Sequence, residues 1–157
     1  MIFFFSECPA NWLDLGEEFG CFYFAEESGH LDWWYAQAYC NSLYENAYLA
    51  EIRNRATQDL LGAYVNDHDI KDRSWWLGGT DFFEDGEWRW QRNGDKIEFF
   101  AWAKDQPDGA NDAGDSEDCL MMFPHSRSAK RLWNDSVCMG VGQTNKRPLC
   151  QLFPVPQ

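Results

Sequence analysis

The spacing of hydrophobic and polar positions changes once along this chain. From about Leu31 to Tyr44, Trp33, Ala36, Cys40 and Leu43 recur at steps of three and four, which predicts a helix with one buried face. A second helix is predicted from about Asn54 to Val65, with Leu60, Leu61, Tyr64 and Val65 as its apolar set. After Asp72 the helical period gives way to short β-type pieces: Trp75-Trp76-Leu77, Trp88-Arg89-Trp90, Leu120-Met121-Met122-Phe123 and Arg147-Pro148-Leu149-Cys150. Gly, Asn and Asp-rich loops separate them. Ahead of both helices, Phe19-Gly20-Cys21-Phe22-Tyr23-Phe24 is aromatic and β-prone, and a Cys8 to Cys21 link would close a small N-terminal hairpin. Helices followed by short strands and one long irregular region form an α+β pattern. An unpatterned loop of roughly 25 residues is uncommon unless it is functional or disordered, and a bound cation offers a way to order it.

Composition narrows the partners. At 157 residues, the chain suits one domain with a real core, and its nine Trp cannot all be surface residues. With 26 acidic and 13 basic side chains, the formal charge is −13, which argues against nucleic acid. Metal cations would offset part of that acidity; simple solubility is the plainer use of most carboxylates. The six cysteines contain no CxxC pair and His is scarce, so zinc is not expected. An even count spread over the chain reads as three disulfides made in an oxidising compartment, although spacing alone does not choose their pairing. Residues 1–5 are apolar but too short to span a bilayer. They lack the basic start and cleavage motif of a signal peptide and read as a remnant of processing or expression. No other segment approaches membrane length, so a secreted protein, or the soluble part of a surface protein, is expected without membrane insertion.

Between Gln106 and Asp135, three triplets gather oxygen donors: Gln106-Pro107-Asp108, Glu117-Asp118-Cys119 and Trp133-Asn134-Asp135. Mixed amides and carboxylates suit a calcium ion (Ca2+), which takes six to eight oxygen ligands in irregular geometry. Together with Trp76-Leu77-Gly78-Gly79 and the order of Cys40, Cys119, Cys138 and Cys150, these motifs resemble the C-type lectin-like domain. The resemblance runs from Cys8 to Leu152, leaving an N-terminal tail (1–7) and a C-terminal tail (153–157) outside the domain (8–152).

The resemblance implies an α+β C-type lectin-like fold, with two helices, short antiparallel β-sheets and a long calcium-binding loop. It implies the disulfides Cys8–Cys21, Cys40–Cys150 and Cys119–Cys138. The first marks the longer form of the domain. The second closes a loop of more than a hundred residues, worth on the order of 4–5 kcal/mol in the chain-entropy model. The third is expected to staple the strand before the binding loop to the strand after it. The sugar-binding calcium site maps onto Gln106, Asp108, Glu117, Asn134 and Asp135, with a cis Pro107 aiming the first two. Three carboxylates outweigh the ion's charge, and two amide oxygens add ligands without repulsion. Neighbouring hydroxyls of a pyranose would complete the ion's shell. Amide first and acid second resembles the galactose and N-acetylgalactosamine type. The sequence departs from that type after the triplet, where Gly109-Ala110-Asn111 stands in place of an expected Trp. Phe123 and His125 are candidate replacements, against plainer roles as a core strand end and a loop residue. An accessory calcium site is expected from Asp81, Asp85, Asp118 and a donor near Asn111 or Asp112.

Pro124 to Arg131 adds three basic residues, expected to lie beside the site. Arg127, Lys130 and Arg131 would then read a sulfated or sialylated sugar by forked hydrogen bonds; the alternative is a solvated hairpin tip. Asn134-Asp135-Ser136 is also a glycosylation sequon, expected to stay unmodified because a glycan would block the metal site.

The function expected is a calcium-dependent lectin for glycosylated or microbial surfaces. Weak single-site affinity calls for several sites on one particle, hence a homo-oligomer. A protein-, ice- or mineral-binding module of the same fold is the competing reading. Glycosidase chemistry needs two acids facing across a bond, and here the acids are explained as ligands, so no enzyme and no catalytic residues are expected.

Overall fold

A computed structural model describes residues 7–68, 72–140 and 145–154; residues 1–5, and with them the apolar stretch at the N-terminus, lie outside the described residues. Strands β1 (Leu13–Asp14) and β2 (Cys21–Phe24) form the expected N-terminal hairpin, closed by the Cys8–Cys21 disulfide. Helix α1 (Trp33–Leu43) buries Trp33, Ala36 and Cys40 as its period predicts. Strand β3 (Ala47–Leu49) leads to α2 (Arg55–His68), whose start is capped by the Asn54 side chain accepting from the Thr57 amide at 2.9 Å. Then come β4 (Ser74–Thr80), β5 (Arg89–Trp90), β6 (Cys119–Met122), β7 (Trp133–Ser136) and β8 (Lys146–Leu152).

The strands join in the order β1-β2-β8-β4-β6-β7, with β3 on β8 and β5 on β4. The sheet is mixed, not purely antiparallel as expected, because β4 runs parallel to β8, with Trp75 opposite Arg147. Every residue of β4 is buried. Gly78 belongs there for lack of space: a Cβ would lie 2.9 Å from the Leu49 carbonyl oxygen.

Trp75, Trp90, Trp133, Leu120 and Leu77 form one core, and Trp33, Trp76 and two disulfides a second. Cys40–Cys150 ties α1 to β8. Cys119–Cys138 differs from expectation in what it joins. Both cysteines follow the long loop, so the bridge links the β6 start to the segment just past β7 rather than strands on either side of the loop. The α2 face is also rotated from the apolar reading. Leu60 is 41% exposed, while Thr57, Gln58, Leu61, Gly62 and Val65 face inward.

Gln58 explains that rotation. Its amide donates to the carbonyls of Lys130 and Arg131 and accepts from Trp133 Nε1 at 2.8 Å. Helix α2 therefore grips the strand that carries Asn134 and Asp135.

Candidate metal centre

The long irregular segment folds back on β7 through backbone hydrogen bonds. Trp133 donates to Ala101 O at 2.7 Å, and Ala103 donates to Trp133 O at 2.9 Å. A turn follows, with Gln106 N bonded to Ala103 O and a cis peptide between Gln106 and Pro107. Beyond it, Glu117 N donates to Gly109 O, closing a hairpin loop that returns the chain to β6. These contacts bring the three triplets together. Asp108, Glu117 and Asp135 each offer a carboxylate oxygen, all within 4.8 Å of one another.

The two amides complete the picture. Gln106 Oε1 and Asn134 Oδ1 are buried with no hydrogen-bond partner. A buried carbonyl oxygen left unpaired costs about 1–3 kcal/mol, so two beside three carboxylates fit a cation as their common partner. The acids agree. Burial, followed by the hydrogen bond and charge of Asp108 and the charge of Asp135, pushes Glu117 up to about 8. Burial also raises Asp135, and the charge of Asp108 adds to it, although the Gly109 and Asp108 amides pull the other way. Those amides donate to the two oxygens of Asp135, Gly109 at 2.8 Å and Asp108 at 3.1 Å. The carboxylate thus holds the loop as well as facing its neighbours.

Asp81, Asp85 and Asp118 form a second group of carboxylates within 4.8 Å. Asp81 Oδ1 is buried without a partner, and burial together with Asp118 pushes this acid up to about 6 against the Gly86 amide. Asp112 is not in that group. It is exposed, and the neighbouring Asn111 is turned inward on its own loop, bonding Asp115 and the Ala113 amide.

The basic segment packs on α2 instead of lining the cluster. His125 bonds Asn66, and Arg131 is wholly buried, donating to Asn66 Oδ1 at 2.9 Å and to the Arg73 carbonyl. Phe123 is 7% exposed, with the Arg127 guanidinium over its ring at 5.1 Å, so it offers no free aromatic face. The expected role of Arg131 in reading an anionic sugar is therefore overturned, and Phe123 takes its plainer role in the core. The sequon lies within β7, where Ser136 is buried.

Residues 30–151 match the Lectin C-type domain family. The chain belongs to that family. It is 31% identical to the galactose-specific lectin nattectin of Thalassophryne nattereri over 85% of this chain and 75% of nattectin. Its fold superposes on the C-type lectin CEL-I from Cucumaria echinata with a TM-score of 0.73 at 23% identity, covering 94% of this chain and 99% of CEL-I. It also superposes on a calcium-independent type II antifreeze protein, with a TM-score of 0.67 at 22% identity, covering 94% of this chain and 95% of the other. This C-type lectin-like chain is thus a lectin module, in a family of binding domains and not of enzymes. Among the described residues, no helix is long and apolar enough to cross a membrane.

Proposed function

We propose that this C-type lectin-like chain is a secreted, calcium-dependent lectin for galactose or N-acetylgalactosamine-type glycans on glycosylated or microbial surfaces. One observation carries the calcium: Gln106 Oε1 and Asn134 Oδ1 are buried without partners beside three converging carboxylates. Gln106, Asp108, Glu117, Asn134 and Asp135 would hold the ion, whose open positions take two neighbouring sugar hydroxyls. The chain's own part is to orient those hydroxyls. Carboxylates only accept hydrogen bonds, while the Gln106 and Asn134 amide nitrogens donate. The amide-then-acid order of Gln106 and Asp108 supports the galactose class, as does the likeness to a lectin named for that specificity. Three disulfides support an oxidising, extracellular location. Asp81, Asp85 and Asp118 would hold a second ion that braces the loop without touching sugar.

A glycan array at two calcium concentrations, repeated with a chelator, tests the reading. Calcium-dependent signal on terminal galactosides is expected. Signal that ignores the chelator favours a calcium-free module and no signal at all a non-sugar one, for which the likeness to a calcium-independent antifreeze protein is the motive.

A further inference from the structure

Glu117 and Asp118 are consecutive but serve different surfaces. Glu117 joins the carboxylates around Asp135, while Asp118 lines an open cleft of about 420 Å³ that none of those three carboxylates lines. Two aromatic rings, Trp34 and Phe82, also line that cleft. Trp34 meets Phe82 edge-on at 6.0 Å and packs edge-on against Trp33 at 4.6 Å. Trp33 is wholly buried and donates from Nε1 to the Leu77 carbonyl at 2.8 Å, so the wall has a fixed footing. Phe82 is 56% exposed, and Met139, also in the lining, is 65% exposed. Large apolar side chains grouped on the surface of an acidic, soluble domain mark a contact site more often than scattered ones do.

We propose that this cleft is a second sugar subsite, taking a neutral residue of a glycan whose terminal sugar sits at the Asp108–Glu117–Asp135 cluster. The inference rests on the lectin reading of that cluster. A sugar ring has a C–H face and a rim of hydroxyls. Trp34 and Phe82 supply surface for the first, and Ser116 and Asp115 supply polar atoms for the second. None of the residues lining the cleft is basic and two are Asp, so sulfate and carboxylate groups are disfavoured. The Gly109–Glu117 hairpin borders both surfaces, so a glycan anchored at the cluster would cross it to reach the cleft. The subsite also supplies aromatic surface to a sequence in which Gly109-Ala110-Asn111, and no Trp, directly follows Gln106-Pro107-Asp108.

The test uses the whole chain with calcium, titrated with methyl β-galactoside and with the neutral tetrasaccharide lacto-N-neotetraose. The tetrasaccharide is expected to bind at least about tenfold tighter. Trp34→Ala/Phe82→Ala should remove most of that gain and leave the monosaccharide unchanged; the exposed Phe82→Ala alone should remove part of it should the double variant not fold. Equal affinities for the two sugars, or equal losses for both in the variants, overturn the proposal. An arm with Glu117→Gln, which disables the cluster while calcium stays present to brace the loop, separates it from the calcium reading. In that arm, amide spectra should still show the tetrasaccharide perturbing residues 111–118 and 137–140, and should not once Trp34→Ala/Phe82→Ala is added. Loss of methyl galactoside binding in calcium-replete protein would sink the calcium site while leaving that arm to judge the cleft. Absence of perturbation there, or a dimer lost in Phe82→Ala with tetrasaccharide affinity unchanged, refutes the subsite.

Discussion

Gln58→Leu tests whether α2 sets the stability of the strand bearing two ligands of the proposed site. The side chain is wholly buried, and Leu is close to it in shape, so the change is chiefly the loss of three hydrogen bonds. Trp133 Nε1 is left as a buried donor without an acceptor, which costs about 1–3 kcal/mol. The Lys130 and Arg131 carbonyls lose weaker bonds, at 3.2 and 3.0 Å, each worth about 0.5–1.5 kcal/mol. Together these give a destabilisation of about 3 kcal/mol, hence a fall in Tm of roughly 10 °C for a domain of this size. Thermal unfolding in chelator, with disulfides intact, measures it. Trp133→Phe removes the donor and keeps most of the ring, so the two substitutions should not add: the double variant should recover at least about 1 kcal/mol relative to the sum. Calcium affinity should fall in Gln58→Leu as well, because the grip on residues 130–133 sets the start of β7. A loss below about 1 kcal/mol, or strict additivity with Trp133→Phe, would refute the reasoning.

Three further outcomes are expected. Because Glu117 is raised to about 8 without metal, and calcium needs the carboxylate ionised, affinity should climb from pH 6 to pH 8 and then flatten. Up to about one proton should be released per ion bound at pH 7, read by calorimetry in buffers of different ionisation heat, and Glu117→Gln should remove most of the release. The sign for folding is opposite: a raised carboxyl favours the metal-free fold below its ordinary range and withdraws that support as pH rises towards 8, so the gain in Tm on adding calcium should widen over the same interval. Gly78→Ala should cost about 1–3 kcal/mol in chemical denaturation, since its Cβ would meet a backbone oxygen that cannot swing aside. Arg127→Ala with Lys130→Ala should leave binding to sulfated galactosides unchanged on an array, because their hairpin packs on α2.

What could be read from the sequence followed the strength of local signals. Helix α1 was legible because Trp33, Ala36 and Cys40 are apolar and regularly spaced. The inward face of α2 was not, because it carries Thr57, Gln58 and Gly62, and its partners lie some seventy residues away. Ranking by hydrophobicity chooses Leu60, which stands at the surface. Strand β7 hides for a similar reason: Trp-Asn-Asp-Ser reads as a loop until β6 pairs with it. The donor triplets were legible as chemistry and as a family resemblance. Asp112 was not separable from its neighbours, since only the folded turn shows Asn111 bonding Asp115. The Trp34–Phe82 wall left one sequence signal, adjacent Phe82 and Phe83 in an otherwise polar loop.

Asp135 spends both oxygens on the amides of Asp108 and Gly109, whereas Gln106 and Asn134 leave oxygens with no protein partner. In lineages that abandon calcium, selection on the loop alone would still favour an acid at the Asp135 position. It would exert no such pull on Asn134 or Glu117. An intact Asp135 is therefore a poor marker of calcium use among distant relatives, and decay of this function should begin at Glu117 and Asn134.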